Sequence, residues 1–272
     1  LLGREQSIRI NLLKGTCVGP LGRNPNVMNG HAHMNSPRTL RGDRNSRRMI
    51  SKATGASLLC LTSPLIALGA LVVRHNSPGN IFYRAIRAGK GGEPFVMYKL
   101  RTMEERADQG SAITTGNDPR IFPGGHLLRR FKIDELPQLI NVAKGDMTLF
   151  GPRPEDPEIV SRWYQPWMMT SLNAAPGIIG PGSLEAFRDE WKMPAAPGEA
   201  DKYYGEVMLP KKIARELLYL QRPTLSYRLE LSLRFICGSI GAWHLTEKCS
   251  AREDRAAETL LANIRRDQRV QA

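Results

Sequence analysis

The sequence predicts an α/β fold, α-rich around a small sheet, with a single folded domain carried on an N-terminal re-entrant membrane helix hairpin. Three observations predict it. The run from Ala53 to Val73, "ATGASLLCLTSPLIALGALVV", contains no charged residue and has basic residues on both flanks. "PFVMYKLRTM" alternates as a short strand does, whereas "GGHLLRRF", "DELPQLINVAKGD" and the segments 210–220 and 225–240 read as helices. A hydrophobic content of 41% over 272 residues suits a packed globular unit.

In chain order, residues 1–47 are rich in Gly, Asn, Pro and Arg, hold no sustained period, and are expected to form a disordered basic arm. The formal net charge is +13, and the first 52 residues contribute +8 of it, ten Lys and Arg against Glu5 and Asp43. Such an excess calls for a polyanionic neighbour: nucleic acid, an acidic membrane surface or a phosphorylated substrate. Basic residues gathered in an arm without interleaved aromatics, and no zinc-finger or RNP-like pattern, argue against nucleic acid. The four cysteines are scattered without metal-ligand spacing, so a reducing compartment and no zinc site are expected. The first apolar run starts after residue 52, too late for a cleavable signal peptide.

Residues 48–76 form the membrane segment. Crossing a bilayer takes about 20 apolar residues, so length alone allows a span. Pro64 lacks an N–H and crowds the preceding turn, and Ser63 can bond a freed carbonyl, so a kink is expected at Ser63-Pro64. A kinked run with basic residues at both ends fits a hairpin that dips into one leaflet and returns to the cytoplasmic face. A straight span would place everything downstream outside the reducing compartment.

Residues 77–245 form the main domain. "NSPGNIFYR" reads as turn-rich, the strand over "PFVMYKLRTM" ends in Lys99 and Arg101, and residues 104–120, with "GNDPR", form a polar loop. "GGHLLRRF" is a helix. "DELPQLINVAKGD" is another, with Asp134 as N-cap, Pro137 in the first turn and Gly145 as the stop. "FGPRPED" is extended and rigid, residues 163–210 show little period, and residues 246–272 form a charged C-terminal tail read as a surface helix.

The charged cluster carries the chemistry. An aspartate ahead of a helix ordinarily caps it. Here Glu135 adds a second carboxylate, and two adjacent carboxylates repel unless a metal ion or cations offset them. Mg²⁺ is bound by one or two carboxylates plus substrate phosphates. Lys99, Arg101, Arg129, Arg130 and Arg153 supply cations at element ends, and arginine's planar fork matches phosphate oxygens. Arg153 stands between Pro152 and Pro154, where stiff backbone positions a side chain at low entropic cost. The residues alone therefore point to metal-assisted phosphoryl-group chemistry at a membrane surface.

The series "SPGNIFYRAIRAGKGGEPFVMYKLRTM", "NDPRI", "LLRRFKIDELPQLINVAKGDMTLFGPRPE" and "APGIIG" resembles the bacterial sugar transferase family, the monotopic polyprenyl-phosphate phosphoglycosyl transferases that initiate exopolysaccharide, O-antigen or capsule synthesis. The resemblance covers about residues 47–240, and its longest piece is highly specific. It implies transfer of a sugar 1-phosphate from a UDP-sugar to undecaprenyl phosphate through a covalent intermediate on Asp134, with release of UMP. It further implies that Glu135 holds Mg²⁺, that Lys99, Arg101, Arg129 and Arg153 bind phosphate or nucleotide, and that the domain lies on the cytoplasmic face of the bacterial inner membrane, against anionic phospholipid. A homo-oligomer is left open, and a membrane-surface homologue without catalysis is the rival nearest to this reading. Three positions depart from the family pattern: Leu100 stands where Phe is usual, "RRMISKATGAS" offers no carboxylate at the start of the hairpin, and "PGSLEAFRDEW" follows "PGIIG", which leaves the donor sugar open.

Overall fold

The computed structural model describes residues 39–104, 118–184 and 197–271. Most of the basic arm and of the 104–120 loop lies outside the described residues. Helix α1 (Thr39–Asn76) begins inside the segment read as a disordered arm, so residues 39–47 belong to the helix.

Helix α1 runs without interruption through Pro64. Ser63 Oγ donates to the Cys60 carbonyl at 2.8 Å, and Thr62 Oγ1 to the Leu58 carbonyl at 2.8 Å. One stripe of α1, at helical spacing on both sides of Pro64, faces the rest of the protein: Gly55, Leu58, Ile66, Gly69 and Val73. The two glycines permit close approach, because a Cβ at Gly55 would stand 2.7 Å from Val142 and one at Gly69 would stand 2.5 Å from Leu100. The opposite stripe, Leu61, Leu65, Leu68 and Leu71, is exposed.

The turn-rich reading of "NSPGNIFYR" is corrected beyond Asn80. Phe82–Ala88 forms β1, antiparallel to β2 (Pro94–Leu100), with Phe82 opposite Leu100 and Ala88 opposite Pro94. The turn residues end where Phe82, Tyr83 and Ile86 supply β-formers. Helix α2 (Pro123–Arg130) leads through a 3₁₀ turn (Ile133–Glu135) into α3 (Gln138–Lys144), which Gly145 stops at φ 92°. A short parallel pair, β3 (Thr148–Phe150) and β4 (Gly177–Ile179), flanks α4 (Pro157–Trp163). The later helices are α5 (Pro197–Tyr203), which continues as a π-helical turn to Met208, then α6 (Leu209–Gln221), α7 (Leu225–Ser239) and α8 (Glu247–Gln271).

The core is a chain of small clusters that tie these layers together. Ala85 and Met97 of the hairpin meet Leu139 and Val142 of α3, covered by Leu58 and Leu59 of α1. Val73 of α1 meets Leu100, Phe122 and Leu128. Helix α6 packs Leu209, Ile213 and Leu217 against Met168 on one side and Ala214 against Ala257, Leu260 and Leu261 of α8 on the other. The segment read as a charged surface helix is a helix, and it packs one face on α6 because its apolar residues recur at helical spacing among the charges.

Asn141 joins hairpin to helix. It is fully buried, its Oδ1 accepts from the Tyr98 N–H at 3.1 Å, and its Nδ2 donates to the Val96 carbonyl at 2.6 Å. The side chain thus acts as an added strand residue on β2. We expect Asn141→Leu to cost about 2–4 kcal/mol, because it strands a buried N–H and a buried C=O together. Chemical unfolding of the purified protein in detergent measures this; a loss below about 1 kcal/mol would remove Asn141 from that role.

Candidate active site

Glu135 lies at the centre of the cation cluster. It is buried, and Arg153 grips it with both arms of the guanidinium, Nη2 to Oε1 at 2.7 Å and Nη1 to Oε2 at 3.1 Å. Lys99 and Lys132 each bring an ammonium within 3.8 Å of Oε1. Burial alone would favour the neutral acid, but Arg153, Lys132 and Lys99 hold the Glu135 carboxyl well below the usual range. Burial pushes Lys99 down to about 8, against the attraction of Glu135.

Asp134 is also buried, and its Oδ1 finds no hydrogen-bond partner among the described residues. Burial, then the neighbouring Glu135 charge, raises its pKa, while Lys132, Lys99 and Arg129 oppose the rise. The N-cap reading of Asp134 is corrected. The residue sits inside the 3₁₀ turn, and α3 begins only after Pro137. Lys132, just ahead of it, is the one non-glycine at positive φ among the described residues, at 55°. Backbone in that region costs on the order of 1–3 kcal/mol and persists only where the surroundings impose it. Here it turns Asp134 and Glu135 inward together.

Of the residues singled out from sequence, Lys99, Glu135 and Arg153 meet directly, and Arg129 reaches Asp134 through its field. Arg101 is different. It is buried and turned into the loop after α1, donating to Ser77 Oγ and to the carbonyls of Ser77, Pro78 and Asn80 at 2.6–2.9 Å. It anchors that loop.

The sequence did not reveal the support behind Arg153. Pro152 and Pro154 are buried, the Arg153 N–H donates to Glu216 Oε1 at 2.9 Å, and the Pro152 carbonyl accepts from the Gly177 N–H at 2.7 Å. Glu155 is buried and accepts from Lys212 and, at 2.7 Å, from the Tyr204 hydroxyl. Burial would raise the Glu155 carboxyl, yet Lys212 and Tyr204 lower it. A signal was present: Lys212 and Glu216 fall on the same helical face as Leu209, Ile213 and Leu217. Gln138 is likewise buried, with neither amide atom hydrogen-bonded among the described residues.

The motif-bearing segments, separate in sequence, thus converge on one charged centre. The family described as bacterial sugar transferase matches residues 43–235, most of the chain. The protein belongs to the bacterial sugar transferase family. A UDP-glucose:undecaprenyl-phosphate glucose-1-phosphate transferase of Caulobacter vibrioides is 34% identical over 194 residues, 70% of this chain and 68% of that protein. A protein of the same description from Escherichia coli is 37% identical over 136 residues, 49% of this chain and 29% of the relative. The UDP-N-acetylgalactosamine-undecaprenyl-phosphate N-acetylgalactosaminephosphotransferase of Aeromonas hydrophila is 39% identical over 123 residues, 44% of this chain and 29% of its own. The chain spans about two thirds of the first of these relatives and under a third of the other two. Helix α8 lies beyond the part matched to the sugar transferase family.

The Glu155–Lys212 pair gives a stability test of the support. Glu155's depressed pKa adds stability that is present above the ordinary carboxylate pKa and lost as pH falls through the folded-state value. We expect Lys212→Met to cost about 3–5 kcal/mol at neutral pH by leaving a buried charge unpaired. The gap between wild type and variant should narrow as pH falls, because the unpaired Glu155 then prefers its neutral form. Unfolding curves at a series of pH values check both; a gap that widens on acidification would contradict the pairing.

Proposed function

We propose that the protein transfers a sugar 1-phosphate from a UDP-sugar to undecaprenyl phosphate, with Asp134 as the nucleophile. The observation that carries this reading is the contrast within the acidic pair. Glu135 is clamped by Arg153 and flanked by two lysines, while Asp134 Oδ1 is buried and has no hydrogen-bond partner among the described residues. One carboxylate is fixed, and the other keeps an oxygen available to attack.

In the first step a carboxylate oxygen of Asp134 attacks the sugar-bearing phosphorus of the UDP-sugar. The bond from that phosphorus to the bridging oxygen breaks, and UMP leaves with the electron pair. An oxygen of undecaprenyl phosphate then attacks the same phosphorus and returns Asp134 as a carboxylate. Two displacements through a covalent intermediate replace one between two anions. Lys99, Lys132, Arg129 and Arg153 offset the charge gathered there, and burial strengthens their effect. A reading in which Asp134 acts as general base for direct lipid-phosphate attack predicts no adduct.

Glu135 and Asp134 offer hard oxygen donors, and no cluster of three or more metal-ligating side chains occurs among the described residues. That donor set fits Mg²⁺, which takes one or two carboxylates and completes its shell with substrate phosphates. Glu135 would hold it, using lone pairs that the Arg153 fork leaves. The ion would supply Lewis-acid neutralisation of the diphosphate.

Two exposed apolar stripes support membrane docking. One is the outer face of α1; the other, on and just beyond α7, consists of Leu225, Leu229, Leu233, Ile236 and Ile240. Both flanks of the apolar run of α1 touch the same domain: Lys52 lies against Gly145, and Asn76 Oδ1 accepts from the Gly124 N–H. A bilayer therefore cannot separate those flanks, which supports shallow, one-sided entry, on the side we assign to the cytoplasm. The basic residues ahead of the apolar run suit anionic lipids, each worth on the order of 1 kcal/mol near the surface. The relatives' names divide between glucose and N-acetylgalactosamine, so the donor is a matter for assay.

UMP release by purified protein, given undecaprenyl phosphate, Mg²⁺ and UDP-sugars one at a time, tests the reaction. Asp134→Asn should abolish it, and labelled sugar phosphate should be trapped on the wild type when the lipid is withheld. Near-normal turnover by the variant would sink the nucleophile assignment. For the membrane geometry, nitroxides at Leu65 and Leu233 in a cysteine-free background should be quenched more by oxygen than by an aqueous nickel complex. Preferential quenching of both by nickel would overturn the docking face.

A further inference from the structure

Glu216 reaches the active site without touching its reactive atoms. It is buried on α6, and its Oε1 accepts from the backbone N–H of Arg153 at 2.9 Å, while the Arg153 side chain clamps Glu135. One helical turn earlier, Lys212 holds Glu155, two residues beyond Arg153. Helix α6 thus grips the Arg-Pro-Glu segment at two points. The flanking prolines stiffen the segment but offer no N–H, so the Arg153 amide is the donor by which its centre can be fixed.

A third element sets where that carboxylate lies. Gly182, just after β4, is buried, and a Cβ built on it would stand 2.1 Å from Glu216 Oε1 and 3.0 Å from Lys212 Cγ. The space that a side chain would take at residue 182 is occupied by the Glu216 carboxylate. Glycine there is a requirement of the neighbour's position, since its own φ is not in the left-handed region.

We propose that Glu216, seated by Gly182, is a positioning residue for Arg153 and through it for Glu135. The inference rests on the proposed function, in which the Arg153–Glu135 clamp belongs to the catalytic centre. Its physical content is an acceptor at one place. An oxygen is needed to bond the Arg153 N–H, and the full negative charge is not. Displacing a clamp of this kind by about an ångström costs on the order of 100-fold in rate.

The test uses the full chain, assayed for UMP release and for its thermal unfolding midpoint. Glu216→Ala and Gly182→Ala should each lower kcat/KM roughly 10- to 100-fold. The first removes the acceptor; the second pushes it aside. The double variant should be no slower than Glu216→Ala, because both changes break the same bond. Glu216→Gln keeps an acceptor oxygen and should retain most of the activity. Should Glu216→Ala not fold, Gly182→Ala and Glu216→Gln carry the comparison, each assayed below its own unfolding midpoint. Losses that multiply in the double variant, a Glu216→Gln as slow as the alanine variant, or a Gly182→Ala as active as wild type would overturn the proposal. Failure of the underlying reading has a separate signature, full turnover by Arg153→Ala.

Discussion

The bidentate bond between Arg153 and Glu135 is the interaction on which the rest of the site depends. A lone carboxylate in that buried position would take up a proton, and the turn that carries it would lose its reason to face inward. Two parallel charge-assisted hydrogen bonds make the ionised form the stable one and fix the direction of both partners. The left-handed backbone at Lys132 is then tolerable, because the inward turn it creates is held from the far side. Asp134, adjacent in sequence, is carried into the same buried place, and no partner for its Oδ1 occurs among the described residues. The difference between the two neighbours follows from one of them having the arginine.

That bond in turn needs a rigid support, and the support is built in layers. The segment 151–156 is tied to β4 through Pro152 and to β1 through the Glu155 carbonyl, which accepts from the Ala88 N–H at 2.8 Å. From behind, α6 presents Lys212 and Glu216. Its outer side is occupied by α8, through Arg215 with Asp254 and the apolar contacts of Ala214. Glu253 of α8 also bonds Arg234 and the Tyr227 hydroxyl of α7. The C-terminal helix therefore fastens α6 and α7 together, at a distance from the reacting groups.

Helix α1 meets two demands with its two faces. Its inner stripe of glycines and aliphatics packs on the hairpin and on α3, and its outer leucines are exposed among the described residues. An apolar helix lying along a folded domain leaves its outer face available to lipid while its ends stay on the domain's side. Exposed leucines recurring along α7 extend the same character to a helix whose sequence also carries Arg and Glu.

Read alone, the sequence determined the elements whose signals are local. The uncharged run, the strand that carries Lys99, the helix stopped by Gly145 and the proline-framed Arg153 all follow from residue type and spacing, as does the pairing of Asp134 with Glu135. It also placed the motif residues in one family. Only the tertiary structure decided which charges meet. Lys99 and Arg101 are two residues apart, a spacing that on a regular strand puts both on one face. Yet one faces Glu135 and the other anchors a loop, because β2 ends at Leu100 and distant segments set what Arg101 meets beyond it. Glu216 and Lys212 read as charges on an amphipathic helix until Arg153 and Glu155, some 60 residues earlier, are brought against them. Asp134 read as a cap until the left-handed Lys132 and the arginine clamp placed it in a turn of its own. Local propensity is written in adjacent residues, whereas the partner of a buried charge is fixed by how the layers pack.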